Sequence, residues 1–147
     1  MLPDLDDLVE YIARQYPSAP KIVEIGVGWL PDYAIELKKK LQDTEIIVVD
    51  VNNSIIESLR DLYKNIDCLQ DDVFEPKRRI YHAASLIYSI RPPPELHDKI
   101  AELGMNVKAD VLIRTLGRES LSTGKKSRKF RLVNNGKASF YLASFKN

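Results

Sequence analysis

The residues whose types and spacing point to ligand chemistry are Glu24-Ile25-Gly26-Val27-Gly28, Asp50 and Asp71-Asp72. Gly26 and Gly28 lack a Cβ, so the backbone can turn sharply there and let a ligand approach the start of a following helix. Asp50 lies 24 positions beyond Gly26, near the roughly 20-residue spacing at which a carboxylate on the next strand end accepts hydrogen bonds from ribose hydroxyls. Asp72, after a third strand, is placed to accept from an adenine amino group. The chemistry implied is recognition of an adenosine-type ligand, against the plainer reading of a tight strand-to-helix turn.

Glu24 bears on which adenosine ligand. A dinucleotide sets its pyrophosphate on the glycine turn, where a carboxylate two residues upstream adds repulsion. S-adenosylmethionine instead carries an ammonium and a sulfonium, both cationic. The dinucleotide pattern also has Pro31 at its third glycine position. A nicotinamide-dinucleotide binder is therefore the weaker alternative.

A second set follows the fourth strand. Arg91 can hold an anionic or carbonyl-bearing substrate group with its planar fork, stiffened by Pro92, Pro93 and Pro94, or pair with Glu95. Tyr88 can stack on a substrate ring or, inside a strand, belong to the core. His82 reads as a half-buried packing residue and His97 as solvated on an exposed helix face. Lys125, Lys126, Arg128, Lys129 and Arg131 make a local basic cluster, either a solvated face or an RNA contact. With Trp29 and Leu30 in the glycine loop, that cluster motivates a rival reading: a non-catalytic binding module for RNA or a protein partner.

These residues need strands and helices to position them. Leu5, Leu8, Val9, Ile12 and Tyr16 recur at helical spacing, predicting a helix over 4–16. Strands are expected at Lys21 to Ile25, Thr44 to Val49, Ile66 to Leu69, Ser85 to Ile90 and Ala109 to Leu116. Helices open at Pro31, Ser54 and Pro94, the last with Leu96, Ile100 and Leu103 inward. Residues 76–84 form a short helix or a loop. Asn134-Asn135-Gly136 between Lys129 to Val133 and Ala138 to Phe145 signals a hairpin. The expected fold is a three-layer α/β/α Rossmann-like sheet, mainly parallel with a C-terminal antiparallel hairpin, in one domain over residues 1–147.

At 147 residues, 44% hydrophobic and 29% charged, with net charge +1, the composition argues against disorder and against whole-chain attraction to nucleic acid. Apolar runs are strand-sized and the N-terminus is acidic, so the chain reads as cytoplasmic. The lone Cys68 and two histidines give no zinc-type spacing, and no metal is expected.

The sequence resembles the class I S-adenosylmethionine-dependent methyltransferases through Val23-Glu24-Ile25-Gly26-Val27-Gly28, Asp50 and Asp72-Val73, together with the final hairpin. More narrowly, Tyr88-Ser89-Ile90-Arg91-Pro92-Pro93-Pro94-Glu95-Leu96 with Asp71-Asp72-Val73-Phe74 is similar to a small archaeal uncharacterised protein family, UPF 0146, whose members are methyltransferase-like in fold. The resemblance implies S-adenosylmethionine as cofactor, held by Glu24, Gly26, Gly28, Asp50 and Asp72. It also implies an acceptor meeting the segment that follows the fourth strand. Where amino-methyltransferases place an Asp or Asn before two prolines, this chain reads Ile-Arg-Pro-Pro-Pro.

Overall fold

The computed structural model describes residues 3–117 and 119–146. Apolar β-branched runs form the strands and amphipathic runs the helices, in the order α1 (Leu5–Gln15), β1 (Lys21–Ile25), α2 (Asp32–Lys40), β2 (Glu45–Asp50), α3 (Asn53–Leu62), β3 (Asp67–Gln70), α4 (Arg78–Tyr81), β4 (Leu86–Ile90), α5 (Pro94–Val107), β5 (Asp110–Arg114), β6 (Phe130–Asn135) and β7 (Ala138–Ala143). A 3₁₀ turn over Gly124–Lys129 leads into β6. Among the described residues the strands make one seven-stranded sheet, ordered β3-β2-β1-β4-β5-β7-β6. The first five are parallel, β7 runs antiparallel to β5, and β6 antiparallel to β7. The expected three-layer, mainly parallel sheet with its terminal hairpin is the architecture found.

Strand alternation divides the core. Ile22, Ile46, Val48, Leu86, Tyr88 and Leu112 face α1, α2 and α3, whereas Val23, Ile47, Val49, Ile87, Val111 and Ile113 face α4 and α5. Burial on both faces explains why these strands read as unbroken apolar runs in the sequence. Strand order reverses between β1 and β4, which sets the crevice for a ligand at the carboxyl ends of those two strands.

Several local expectations are corrected. The cap of α3 is Asn52, whose side chain accepts from the Ser54 and Ile55 amides, rather than Ser54. Leu62, at the end of that helix, is exposed. Residues 78–81 form a single helical turn. The hairpin loop is Gly136-Lys137, since Asn135 still pairs with Ala138. Positive φ at Gly136 with Lys137 following fits a type II′ turn. That tip is fastened to α1, because the Lys137 amide donates to Asp7 Oδ2 and Asn135 Nδ2 donates to the Asp7 carbonyl.

The two histidines exchange roles. His82 is exposed, because the α4 turn ends at Tyr81 and releases the chain to solvent. His97 has no exposed surface. It lies on the α5 face that also carries Ile100, Ala101 and Gly104, and the chain after β5 folds over it, the Ser122 amide donating to His97 Nδ1 at 3.1 Å. No helix among the described residues is long and apolar enough to cross a membrane.

Candidate functional site

The glycine loop leaves β1 with Gly26 at φ +72° and Gly28 at φ +70°. L side chains rarely adopt this left-handed backbone, and space is open where a Cβ would stand at each position. The loop's amides are already engaged. Those of Gly26 and Val27 donate to the Val49 carbonyl at 2.9 and 3.1 Å, and that of Gly28 to Asp50 Oδ2 at 3.0 Å. An anion such as a pyrophosphate therefore finds no free amide on these three residues, so the loop is shaped without being an anion cradle.

Asp50 ends β2 half-buried, with Oδ1 taking the Asn52 amide at 3.0 Å. Each carboxylate oxygen retains lone-pair capacity for a further donor, so the two backbone bonds orient Asp50 without exhausting it. Sequence spacing thus brought together residues that the fold does hold together: the end of β2 clamps the loop after β1.

Glu24 sits one position before the end of β1, on the face covered by α2. It is 3% exposed and stands beside Tyr88 in the β1–β4 register. The Tyr88 hydroxyl donates to Glu24 Oε1 at 2.7 Å. Burial pushes the Glu24 carboxyl up to about 8, against the Tyr88 bond, with the charges of Asp32 and Asp50 adding to the rise. Burial and the neighbouring Glu24 push the Tyr88 hydroxyl well above its ordinary value. Tyr88 is wholly buried, so it holds Glu24 rather than offering a ring to a substrate.

Asp71 is also structural. It is buried and accepts from the Lys77 amide at 3.1 Å and the Tyr81 hydroxyl at 2.5 Å. Asp72 is half-exposed and accepts from the Phe74 amide at 2.9 Å, which turns the chain after β3. Only one Asp72 oxygen is used in that turn.

Arg91 follows β4 with φ +52°, a left-handed conformation that a branched-free but bulky side chain adopts only when its surroundings hold it there. Its amide donates to the Arg114 carbonyl at 2.6 Å; Pro92, next in the chain, is buried and Pro93 exposed. No ion pair with Glu95 forms among the described residues. The Arg91 charge instead acts on Asp4.

Asp4 belongs to a group that spacing did not reveal. At the start of α1 it is 1% exposed, bonded by Arg114 Nε at 2.7 Å and by the Tyr33 hydroxyl at 2.8 Å. Burial pushes its carboxyl up, but those two bonds and the charges of Arg114 and Arg91 outweigh burial and hold it below its ordinary value. The group joins α1, α2 and the ends of β4 and β5 at the ligand edge. Its members lie up to 110 residues apart, so no local motif announces it.

The basic cluster is split. Lys126 pairs with Asp98 on α5 at 2.8 Å, on one side of the sheet, while Lys129 and Arg131 line a cavity against α1 on the other. Lys125 and Arg128 are exposed. The cluster, read from the sequence as either a solvated face or an RNA contact, is thus divided between two sides of the sheet. Among the described residues no group of three or more His, Cys, Asp or Glu side chains could hold a metal ion.

Known proteins are similar to this chain in sequence and in fold. The chain is 36% identical over 140 residues to a protein of Archaeoglobus fulgidus, covering 95% of each. It is 37% identical over 111 residues to one of Methanocaldococcus jannaschii, covering 74% of this chain and 77% of that one. Among solved structures, a chain of a fibrillarin/Nop5p complex superposes with TM-score 0.66 at 12% identity, over 99% of this chain and 83% of that one. An S-adenosylmethionine-dependent methyltransferase from Aquifex aeolicus gives 0.63 at 15% identity, over 97% and 93%. A mutant of MtNAS in complex with S-adenosylmethionine gives 0.65 at 15%, over 97% and 62%. At such identities these likenesses concern the fold, which is that of the class I S-adenosylmethionine-dependent methyltransferases. Residues 5–144 match the profile described as Uncharacterised protein family (UPF0146), and the chain belongs to that family.

Proposed function

We propose that this protein binds S-adenosylmethionine at the carboxyl edge of β1, β2 and β3 and is a small methyltransferase. The observation that carries the reading is the clamp of the glycine loop by Asp50 beside a buried Glu24. The loop has no free amide at Gly26, Val27 or Gly28 for a pyrophosphate, and its nearest deeply buried carboxyl is one that a cationic ligand would stabilise in its ionised form. Glu24, Gly26, Gly28, Asp50 and Asp72 would hold the cofactor, which when bound would supply an electrophilic methyl group.

Apolar exposure supports the same edge. Of the eight large apolar side chains exposed among the described residues, five (Trp29, Leu30, Val51, Phe74 and Leu116) lie in the segments that follow β1, β2, β3 and β5. Trp29 is 57% and Leu30 71% exposed. Uncovered apolar surface gathered at one edge suits a ligand ring or an acceptor. Arg91, fixed by its bond to the Arg114 carbonyl, is the residue to orient an anionic or carbonyl-bearing acceptor. Methyl transfer from a sulfonium depends chiefly on alignment, so an acceptor that is already deprotonated needs no general base at this edge.

Calorimetry with S-adenosylmethionine and S-adenosylhomocysteine, on wild type and Asp50→Ala, tests the reading. Expected are binding to the wild type with release of about one proton near neutral pH, as the ligand's positive charge ionises Glu24, and loss of at least about tenfold in affinity in the variant. No binding to the wild type at millimolar ligand would overturn it.

A further inference from the structure

The two edges of the sheet are finished differently. β3 is four residues long, and its two outward carbonyls are occupied: Arg60 Nε donates to that of Cys68 at 2.7 Å and Lys77 Nζ to that of Gln70 at 3.1 Å. Side chains laid along an edge in this way keep further strands from adding to it. β6 is six residues long, with no bulge and no proline. Asn135 pairs with Ala138 across the two-residue turn, so residues 131, 133 and 135 bond to β7 while 130, 132 and 134 direct their backbone groups outward. The Phe130 amide donates to the Ser127 carbonyl, and the Asn134 side chain accepts from the Ser139 hydroxyl rather than lying over the edge. The outward amides and carbonyls of Leu132 and Asn134 have no hydrogen-bond partner among the described residues.

The two faces of β6 carry different chemistry. Leu132 stands on the face shared with Phe130, Tyr141 and Ile113. It is 56% exposed, the one large apolar side chain exposed on a strand among the described residues. The other face carries Arg131, with Lys129 just ahead of the strand. Both are exposed, and neither forms a salt bridge among the described residues. From residue 120 to the end the sequence holds seven Lys and Arg and no Asp or Glu. A second copy paired along β6 would set these basic faces side by side, which like charges oppose. A nucleic acid would use the charge and leave Leu132 uncovered.

We propose that β6 takes up an extended segment of a partner protein as an eighth strand, one in which acidic and apolar residues alternate. Backbone pairing with Leu132 and Asn134 supplies the attachment, and strand alternation supplies the specificity. Successive side chains of the added strand fall on opposite faces, so its apolar residues meet Leu132 and its carboxylates meet Arg131 and Lys129. In the sheet order β6 lies four strands from β1, roughly 19 Å, so docking there does not depend on the reading given above for the glycine loop.

A short capped peptide alternating valine and glutamate is the probe, and its lysine counterpart the control. Calorimetry measures binding, and amide exchange followed by NMR locates it. The glutamate peptide is expected to bind with a dissociation constant below about 1 mM and to slow exchange at the Leu132 and Asn134 amides; the lysine peptide is expected not to bind. Leu132→Pro removes an outward donor while sparing the bonds to β7, and should weaken binding by about fivefold or more. Arg131→Glu, at an exposed position, should weaken it by about tenfold and admit the lysine peptide. The proposal is overturned by no binding of the glutamate peptide at about 1 mM, by equal binding of both peptides, by protection confined to amides outside β6, or by unchanged affinity in both variants. Protection of Leu132 and Asn134 that grows with protein concentration alone would overturn it in favour of a second copy. Tighter protection of the same amides by a short oligouridylate would overturn it in favour of nucleic acid.

Discussion

Among the carboxyl groups buried at the carboxyl edge of the sheet, Asp4 and Glu24 are driven in opposite directions by their surroundings. Asp4 is bonded by Arg114 and by the Tyr33 hydroxyl and lies in the field of Arg91. Glu24 has the Tyr88 hydroxyl and no cation, with Asp32 and Asp50 as its charged neighbours. One carboxylate is a completed structural joint. The other is buried without a cation, and on the proposed reading it is the group that a cationic ligand would ionise.

The largest expected effect comes from making Glu24 permanently neutral. In the unfolded chain it titrates near its ordinary 4.5, in the folded protein near about 8. Below the lower value it is protonated in both states and imposes no pH dependence. Between the two the native state holds a proton that the unfolded chain has released, so stability falls as pH rises, by about 5 kcal/mol in all, and levels off above the folded value. Glu24→Gln keeps an acceptor for Tyr88 and removes that slope. Urea melts at pH 5 and pH 9 should show variant and wild type nearly equal at the lower pH and the variant more stable at the higher. A parallel pH profile in both proteins would place Glu24 in contact with water or a cation and erase the contrast with Asp4.

Arg114→Met attacks the comparison from the other side. It leaves Asp4 buried with Tyr33 as its remaining donor, and removing one partner of a buried ion pair costs about 3 kcal/mol or more. Asp4 has a lowered folded pKa, so its contribution is present above the ordinary 3.8 and is lost as pH falls through the folded value. The destabilisation should therefore be full at pH 7 and shrink in acid, the reverse of the Glu24 profile. Asp4→Asn in the same background should recover part of the loss, because the uncompensated charge goes with it. A loss below about 0.5 kcal/mol at pH 7 would class the pair with exposed ion pairs.

That Asp4, Tyr33 and Arg114 escaped sequence reading while Glu24, Gly26, Gly28 and Asp50 did not has a physical cause. The second group lies in one βαβ unit, where strand length and crossover fix the spacing, so types at given offsets imply contact. The first group meets only because α1 docks against strands formed much later in the chain. The sheet itself was legible, since strands buried on both faces cannot alternate polar and apolar residues. Leu96, Ile100 and Leu103 alone point His97 to solvent, yet the buried face of α5 is set by residues 97, 100, 101 and 104. The apolar neighbours of His82 in sequence suggest burial, but the local turn exposes it.

Asp50 gives the smallest effect and the sharpest one on function. Unlike Asp4 and Glu24 it is only half-buried, and both its bonds go to backbone amides, of Gly28 and Asn52. Asp50→Asn preserves shape but can serve one of those amides as acceptor and sets an NH₂ against the other. The stability cost should be about 1 kcal/mol, measured by urea melts at pH 7, with little change in its pH dependence. If the loop is a ligand site, S-adenosylmethionine affinity should fall by about tenfold, far more than a stability change of this size would cause in a protein that stays folded. If Asp50 only pins the turn, any binding would survive the substitution and the loop amides would carry the whole effect. The ratio of the two losses therefore separates a carboxylate that shapes the loop from one that also meets the ligand.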